Sequence, residues 1–288
     1  MSSTSVDILS YTRTVWGSYL QAINWPGIGY EMFANSTLNE KFNILSGVAP
    51  DAGERPVMRY MAIGNRGHQY AVEKDGSEVP IPVPHTARHA ACYNHIPFVI
   101  REVNDDLPAE KRQRYGLRRI ETINNRQYVV YYLRRLDFST AKGSISKLQT
   151  KDNATSDAVF DSKSADLSPT PPNIATDGTN VGSDTSYISA VVTKLTLDEF
   201  DIEEIIKANY IRTGSNRSPV ISEIALCSGI DHQAELQSGS GTYNEVIACQ
   251  VNMFVYTFQA VSYASKGIDM TIDIGGSEPE VGTARLGG

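Results

Sequence analysis

The stretch at residues 218–231, SPVISEIALCSGID, constrains this chain more than any other, because it has a near-copy far upstream at residues 55–68, RPVMRYMAIGNRGH. In both, a proline precedes an apolar, β-prone run, residues 57–63 and 220–226, which closes on small residues and a glycine-containing turn. Two such runs are expected to lie side by side in one sheet. Everything between them is then an excursion from that sheet, and the last strands return to it.

The excursion is long enough for a second domain in a chain of 288 residues, 41% of them hydrophobic. A formal charge of −7 and a pI near 5.3 argue against wholesale binding of nucleic acid or of an anionic membrane surface. The three cysteines, Cys92, Cys227 and Cys249, are odd in number and widely spread, so they read as reduced, small hydrophobic side chains in a chain made in a reducing cytoplasm. The start carries no basic segment followed by an apolar core, and no run approaches the roughly eighteen apolar residues of a membrane span, so no membrane association is expected.

Apolar spacing predicts an amphipathic helix over residues 6–23, and Thr37 three residues before Glu40 has the spacing of a capping box that opens a short second helix. Prolines at 80, 82 and 84 remove backbone donors at alternate positions, which marks an extended, exposed arm or edge. The arm leads into the one stretch resembling chemistry, where His85, His89, Cys92 and His95 fall within eleven residues. On a helix the first three would stack on one face, as ligands of a single metal do. Pro97 distorts the turn carrying the fourth, the spacing matches no zinc module, and no second cluster supports it. Polar packing is the plainer expectation, and no metal or other cofactor is assigned.

Beyond Pro97 the chain reads as β. Residues 115–123 and 126–138 flank Asn124-Asn125, a pair that tolerates the positive φ of a two-residue hairpin turn. The second arm, RQYVVYYLRRLDF, is polar throughout on neither face, so both faces must be covered. Lys111, Arg112, Arg114, Arg118, Arg119, Arg126, Arg134 and Arg135 concentrate here. A nucleic-acid reading of the basic hairpin 111–135 would set arginines on phosphates and tyrosines on bases. The acidic chain favours instead an assembly element, with Arg118, Arg119, Arg134, Arg135, Tyr128 and Tyr132 meeting an acidic, partly apolar neighbour. Replacing the four arginines with glutamate is then expected to leave a folded monomer that no longer assembles.

Residues 139–186, rich in Ser, Thr, Asp, Asn and Pro, are expected to form a polar loop or linker between an N-terminal region, 1–138, and a C-terminal one, 187–288. Thr196 and Glu199 have capping-box spacing for a helix over 197–209, and the run EVIACQVNMFVYTFQAV is expected to form a hairpin with GIDMTIDIGG. Residues 277–288 read as an exposed tail. The fold class is α+β and β-rich, a mixed or antiparallel sheet with long hairpins and a few short amphipathic helices.

No nucleophile elbow, Walker loop, dinucleotide fingerprint or HExxH motif is present, and the acid pairs Asp105-Asp106 and Glu203-Glu204 read as solvated charge, so no enzyme is expected. Met58, Tyr60, Ala62, Ile63 and Gly64, taken with Ile221, Glu223, Ile224, Ala225, Leu226 and Gly229, resemble a strand pair in structural proteins of tailed bacteriophages, especially tail-fibre and baseplate-associated proteins. The resemblance implies a virion subunit made in the host cytoplasm. It would form a ring or sleeve with its own copies in the tail, neck or baseplate and dock onto other virion proteins. The alternatives are a metal-binding protein or enzyme centred on His85, His89, Cys92 and His95, and a nucleic-acid-contacting protein using the basic hairpin.

Overall fold

A computed structural model of the chain describes residues 4–5, 10–33, 37–44, 47–151, 154–163, 185–237 and 241–279. In chain order the elements are β1 (Thr4–Ser5), β2 (Ser10–Arg13), α1 (Val15–Asn24), α2 (Thr37–Phe42), β3 (Val57–Gly64), β4 (His68–Val72), β5 (Glu78–Pro82), β6 (His95–Ile96), β7 (Val99–Glu102), α3 (Ala109–Arg112), β8 (Tyr115–Ile123), β9 (Arg126–Arg135), β10 (Lys142–Lys151), β11 (Ala154–Val159), β12 (Thr185–Asp198), α4 (Glu199–Thr213), β13 (Val220–Glu235), β14 (Thr242–Ala260) and β15 (Gly267–Pro279). The fold is α+β and β-rich, with antiparallel sheets and a short parallel pair between β1 and β15. Two compact units divide the chain, one of Met1–Asp137 with Thr196–Met270, the other of Phe138–Leu195 with Thr271–Gly288.

The first unit is built on a sheet in the order β2-β14-β13-β3-β9-β7, with β6 also on β3 and β8 on β9. The two matching runs are neighbours in it, with Leu226 opposite Met61, Ala225 opposite Ala62 and Ile224 opposite Ile63. All six are buried, and each of the larger side chains contributes roughly 1.5–3 kcal/mol by leaving water. The small residues closing the upstream run have a steric cause. A Cβ on Gly64 would lie 2.5 Å from the Glu223 carboxylate, and one on Gly67 would lie 2.6 Å from the Ser222 carbonyl. Helix α4 packs on β7, while α1 and α2 pack on β14.

The Asn124-Asn125 turn forms as expected, with φ of 50° and 63°, and joins β8 to β9. Other local readings are displaced by tertiary pairing. Within the predicted helix over 6–23, residues 10–13 are strand β2 on β14, and the helix begins only at Val15, where the Thr14 hydroxyl caps it by accepting the Gly17 N–H at 3.1 Å. Residues 6–9 lie outside the described residues. The capping box of α4 is Asp198 with Asp201, not Thr196 with Glu199, because strand β12 runs through to Asp198 before the helix starts. The expected hairpin of β14 with β15 does not form. β14 pairs with β13 and β2 instead, its turn closed by the Leu236 N–H on the Gly241 carbonyl at 3.0 Å, whereas β15 joins β12 and β1.

In the second unit β10 is the middle strand between β11 and β12, antiparallel to both. Composition predicts a loop here, yet residues 142–151 and 154–159 are strands. A ladder needs only backbone groups, and those are as available in Ser- and Lys-rich sequence as in Val-rich sequence. The unit adds a small apolar contact, Phe160 edge-on to Tyr187 at 5.5 Å between ring centres. Residues 164–184 of the predicted loop, and 280–288 of the predicted tail, lie outside the described residues.

Candidate functional site

The helix that would align His85, His89 and Cys92 is absent. Residues 85–94 are a succession of turns and bends, which Glu223 of β13 gathers. Its fully buried carboxylate accepts the Nε2–H of His85 at 2.8 Å, the Tyr93 N–H at 3.0 Å, the Asn94 N–H at 3.2 Å and the Arg66 N–H at 3.3 Å. On the far side of the ring the His85 Nδ1 lies 2.9 Å from the His89 Nδ1, which also accepts the Thr86 N–H at 3.4 Å. The His85 ring lies between Phe254 at 3.7 Å and Tyr93 at 4.1 Å, nearly parallel to both. Burial, then the neighbouring His85 and Arg88, lower the His89 pKa.

His95 and Cys92 serve a different purpose. His95 is buried on β6, its Nε2 accepts the Cys92 N–H at 3.0 Å, and its ring meets Phe42 edge-on at 4.9 Å. Burial, reinforced by Lys41, His85 and Arg212, pushes the His95 pKa down to about 3, so the ring is neutral at ordinary pH. Burial likewise pushes the Cys92 thiol up. Among the described residues no three or more of His, Cys, Asp and Glu are arranged to hold a metal ion. Of the four, His85 bonds the buried Glu223 carboxylate and His89 bonds His85, whereas Cys92 and His95 bond one another.

The four arginines of the basic hairpin also turn inward. Arg118, 2% exposed, meets Asp106 at 2.9 and 3.2 Å, and the same carboxylate accepts the Tyr131 hydroxyl at 2.5 Å. Arg119 donates to the Phe42 carbonyl at 2.6 Å and pairs with Glu245. Arg134 reaches Asp201 at 2.8 Å, beside Arg114 at 3.0 Å and the Tyr115 hydroxyl at 3.1 Å. Arg135 meets Asp231 at 2.6 Å, where Tyr60 donates as well. Burial raises the Asp201 pKa in spite of Arg134 and Arg114; at Asp231 burial also raises it, but Arg135 and Tyr60 outweigh this and the net shift is downward. Tyr132 is buried on Glu121 at 2.8 Å, and Tyr128 is half-buried. The expected outward role for these arginines is thus corrected: their charges are spent within the chain. The acid pairs are not simply solvated either, since Glu204 is 1% exposed and grips Arg101 at 2.7 and 2.9 Å. The signal for all of this was the arginine cluster itself, because arginines in a hairpin with two covered faces require carboxylates.

The surface that does face outward is the proline-rich arm, a two-stranded sheet of β4 and β5. Its base is held by the same cluster: the Gly67 N–H donates to the Ser222 hydroxyl at 3.0 Å, the Val83 N–H to the Gly67 carbonyl at 2.9 Å, and the His85 N–H to the Tyr256 hydroxyl. His68 packs edge-on to Phe258 at 4.8 Å. Beyond the base Tyr70, Val72, Val79 and Ile81 are exposed, Val72 by 70%. Pro80 lies opposite Tyr70 and Pro82 opposite His68. Since proline cannot donate to the ladder, these are the non-hydrogen-bonded pairs, and both proline nitrogens point away from β4. The outer edge of β5 is therefore blunted, whereas β4 keeps outward N–H groups at Tyr70 and Val72.

No described helix is long and apolar enough to cross a membrane. Residues 1–286 match DUF7208, a family of unknown function, and the chain belongs to that family. No curated protein and no solved structure matches it.

Proposed function

We propose that the chain is a structural subunit of a tailed-phage virion, forming an oligomeric ring or sleeve in the tail, neck or baseplate and docking onto other virion proteins. The observation that carries the assembly reading is the β4–β5 arm, anchored at its base and apolar where it is exposed. A lone two-stranded hairpin is marginally stable in water, and an arm with one open edge and apolar side chains on both faces gains stability when another chain covers it. The virion reading is supported by the resemblance carried by β3 and β13. Supporting it over the two alternatives, His85 is bonded to Glu223, and Arg118, Arg134 and Arg135 are paired with carboxylates of their own chain.

The test is the native mass of the purified chain at micromolar concentration, together with the protein content of purified virions. A multi-copy species and recovery of the chain from virions in several copies per particle are expected. A chain that stays monomeric throughout and is missing from the particles rules the proposal out.

A further inference from the structure

Two features of the first unit fit one another but are not joined within the chain. One is Trp25, 91% exposed, which follows α1 in a Trp-Pro-Gly turn. That turn is fixed: the Trp25 N–H bonds the Gln21 carbonyl at 3.3 Å, the Ile28 N–H bonds the Ile23 carbonyl at 3.0 Å, and Arg55 donates to the Gly27 carbonyl at 2.5 Å. With the backbone beneath it already fixed, only the two side-chain torsions of the indole are ordered on burial, which favours an anchor residue in association.

The other feature is a cleft of about 720 Å³ beside α4, within the roughly 300–1,000 Å³ typical of ligand and anchor pockets. Ile100, Ile206 and Ile211 supply apolar walls, and Tyr128, Tyr210 and Tyr263 supply aromatic ones, the last two 53% and 65% exposed. The cations lining it are already engaged, Arg101 with Glu204 and Asp105, and Lys207 with Glu203 and Glu204. Little attraction for an anion remains. Glu102, Ser215 and Asn216 complete the lining and offer acceptors beside the aromatic walls, so a flat, largely apolar group with one hydrogen-bond donor suits the cleft, and an indole is that group.

We propose that Trp25 of one copy seats in the Tyr210–Tyr263 cleft of the next copy. This rests on the assembly role proposed above and specifies its contact. Knob and cleft are different patches of one surface: repeated head-to-tail, the contact closes into a ring or extends into a sleeve, whereas made reciprocally it closes a two-fold dimer.

The chain has two tryptophans, so Trp16→Phe leaves Trp25 as the only indole. In that background the emission maximum should move to shorter wavelength as the protein is concentrated from nanomolar to micromolar. Trp25→Ala should keep the native melting temperature and weaken association on the order of 30-fold or more, as loss of a hot-spot aromatic does. The exposed pair Tyr210→Ala with Tyr263→Ala should do the same from the other side. Mixed, the two variants retain one intact knob and one intact cleft, and should form one-to-one dimers that grow no further. If Trp25→Ala assembles like the native chain, this contact is wrong while the assembly role stands. If each variant is monomeric but the mixture gives no dimer, the cleft is not the seat of Trp25. A native chain that is monomeric at every concentration overturns this contact, and overturns the assembly role as well when the chain is also missing from purified virions.

Discussion

The chain contains two hairpins that local chemistry would keep away from a core, and they meet opposite fates. β8–β9, loaded with arginine, lies inside: Leu117 and the whole run from Val129 to Leu133 are buried. β4–β5, loaded with proline, has no buried residue in either strand. The difference lies in what the rest of the chain brings to each. Removing a guanidinium from water costs several kcal/mol unless a carboxylate and further hydrogen bonds offset it. Asp106, Asp201, Asp231 and Glu245 do so for β8–β9, each carried by a different segment. Nothing comparable covers the far end of β4–β5. A hairpin is therefore core or arm according to its partners, not according to its own composition.

The strongest way to break this comparison is to replace Arg118, Arg119, Arg134 and Arg135 with glutamate together. Each change sets a carboxylate against a carboxylate in a nearly dry site, and the summed loss should exceed the roughly 5–15 kcal/mol that holds an ordinary domain together. Thermal melting followed by near-ultraviolet circular dichroism should show no cooperative transition. A folded monomer would mean that the hairpin is peripheral after all.

Asp201→Ala probes the same interior with one atom group. It leaves Arg114, Arg134 and the Tyr115 hydroxyl without their shared acceptor and removes half of the α4 capping box. A loss of about 3–5 kcal/mol is expected from stranding the buried charges. The readout is a lower urea midpoint with an unchanged slope, and a shift below about 1 kcal/mol would show that the pairs contribute little.

Acid sharpens the contrast less drastically. The pKa of His95 falls from 6.5 unfolded to about 3 folded, so below pH 6.5 the unfolded chain binds the proton and the folded chain does not. The stability from the neutral ring is complete above pH 6.5 and is lost as pH falls towards 3, at up to about 1.4 kcal/mol per pH unit. His95→Gln removes the titrating group, and its stability should depend more weakly on pH across that window. Parallel curves for the two proteins would assign the acid sensitivity elsewhere.

The arm should show the smallest effect on the fold. Tyr70→Ser with Val72→Ser changes only exposed side chains, and each should move unfolding free energy by no more than about 0.5 kcal/mol. The same pair should reduce the native mass if the arm is covered in the assembly. A large destabilisation with unchanged mass would place the arm with the core instead.

What the sequence alone determined were the features decided within a few residues or by a repeated pattern. The Asn-Asn turn, the helix near residues 199–213, the proline arm and the partnership of residues 57–63 with 220–226 could each be read from turn chemistry, periodicity or near-repetition. The path of the histidine stretch was not legible locally, because Glu223, distant in the chain, supplies acceptors that hold backbone N–H groups of that stretch in a turn-rich path. The loop read over residues 142–159 failed because composition measures apolar side chains and a β-ladder is made by the backbone. The arginines were misdirected because desolvating a charge depends on which carboxylate arrives beside it, and for Arg134 that carboxylate comes from the first turn of α4. Only the tertiary structure brings those partners together, since pairing energies of several kcal/mol outweigh local preferences of about 1 kcal/mol per residue or less.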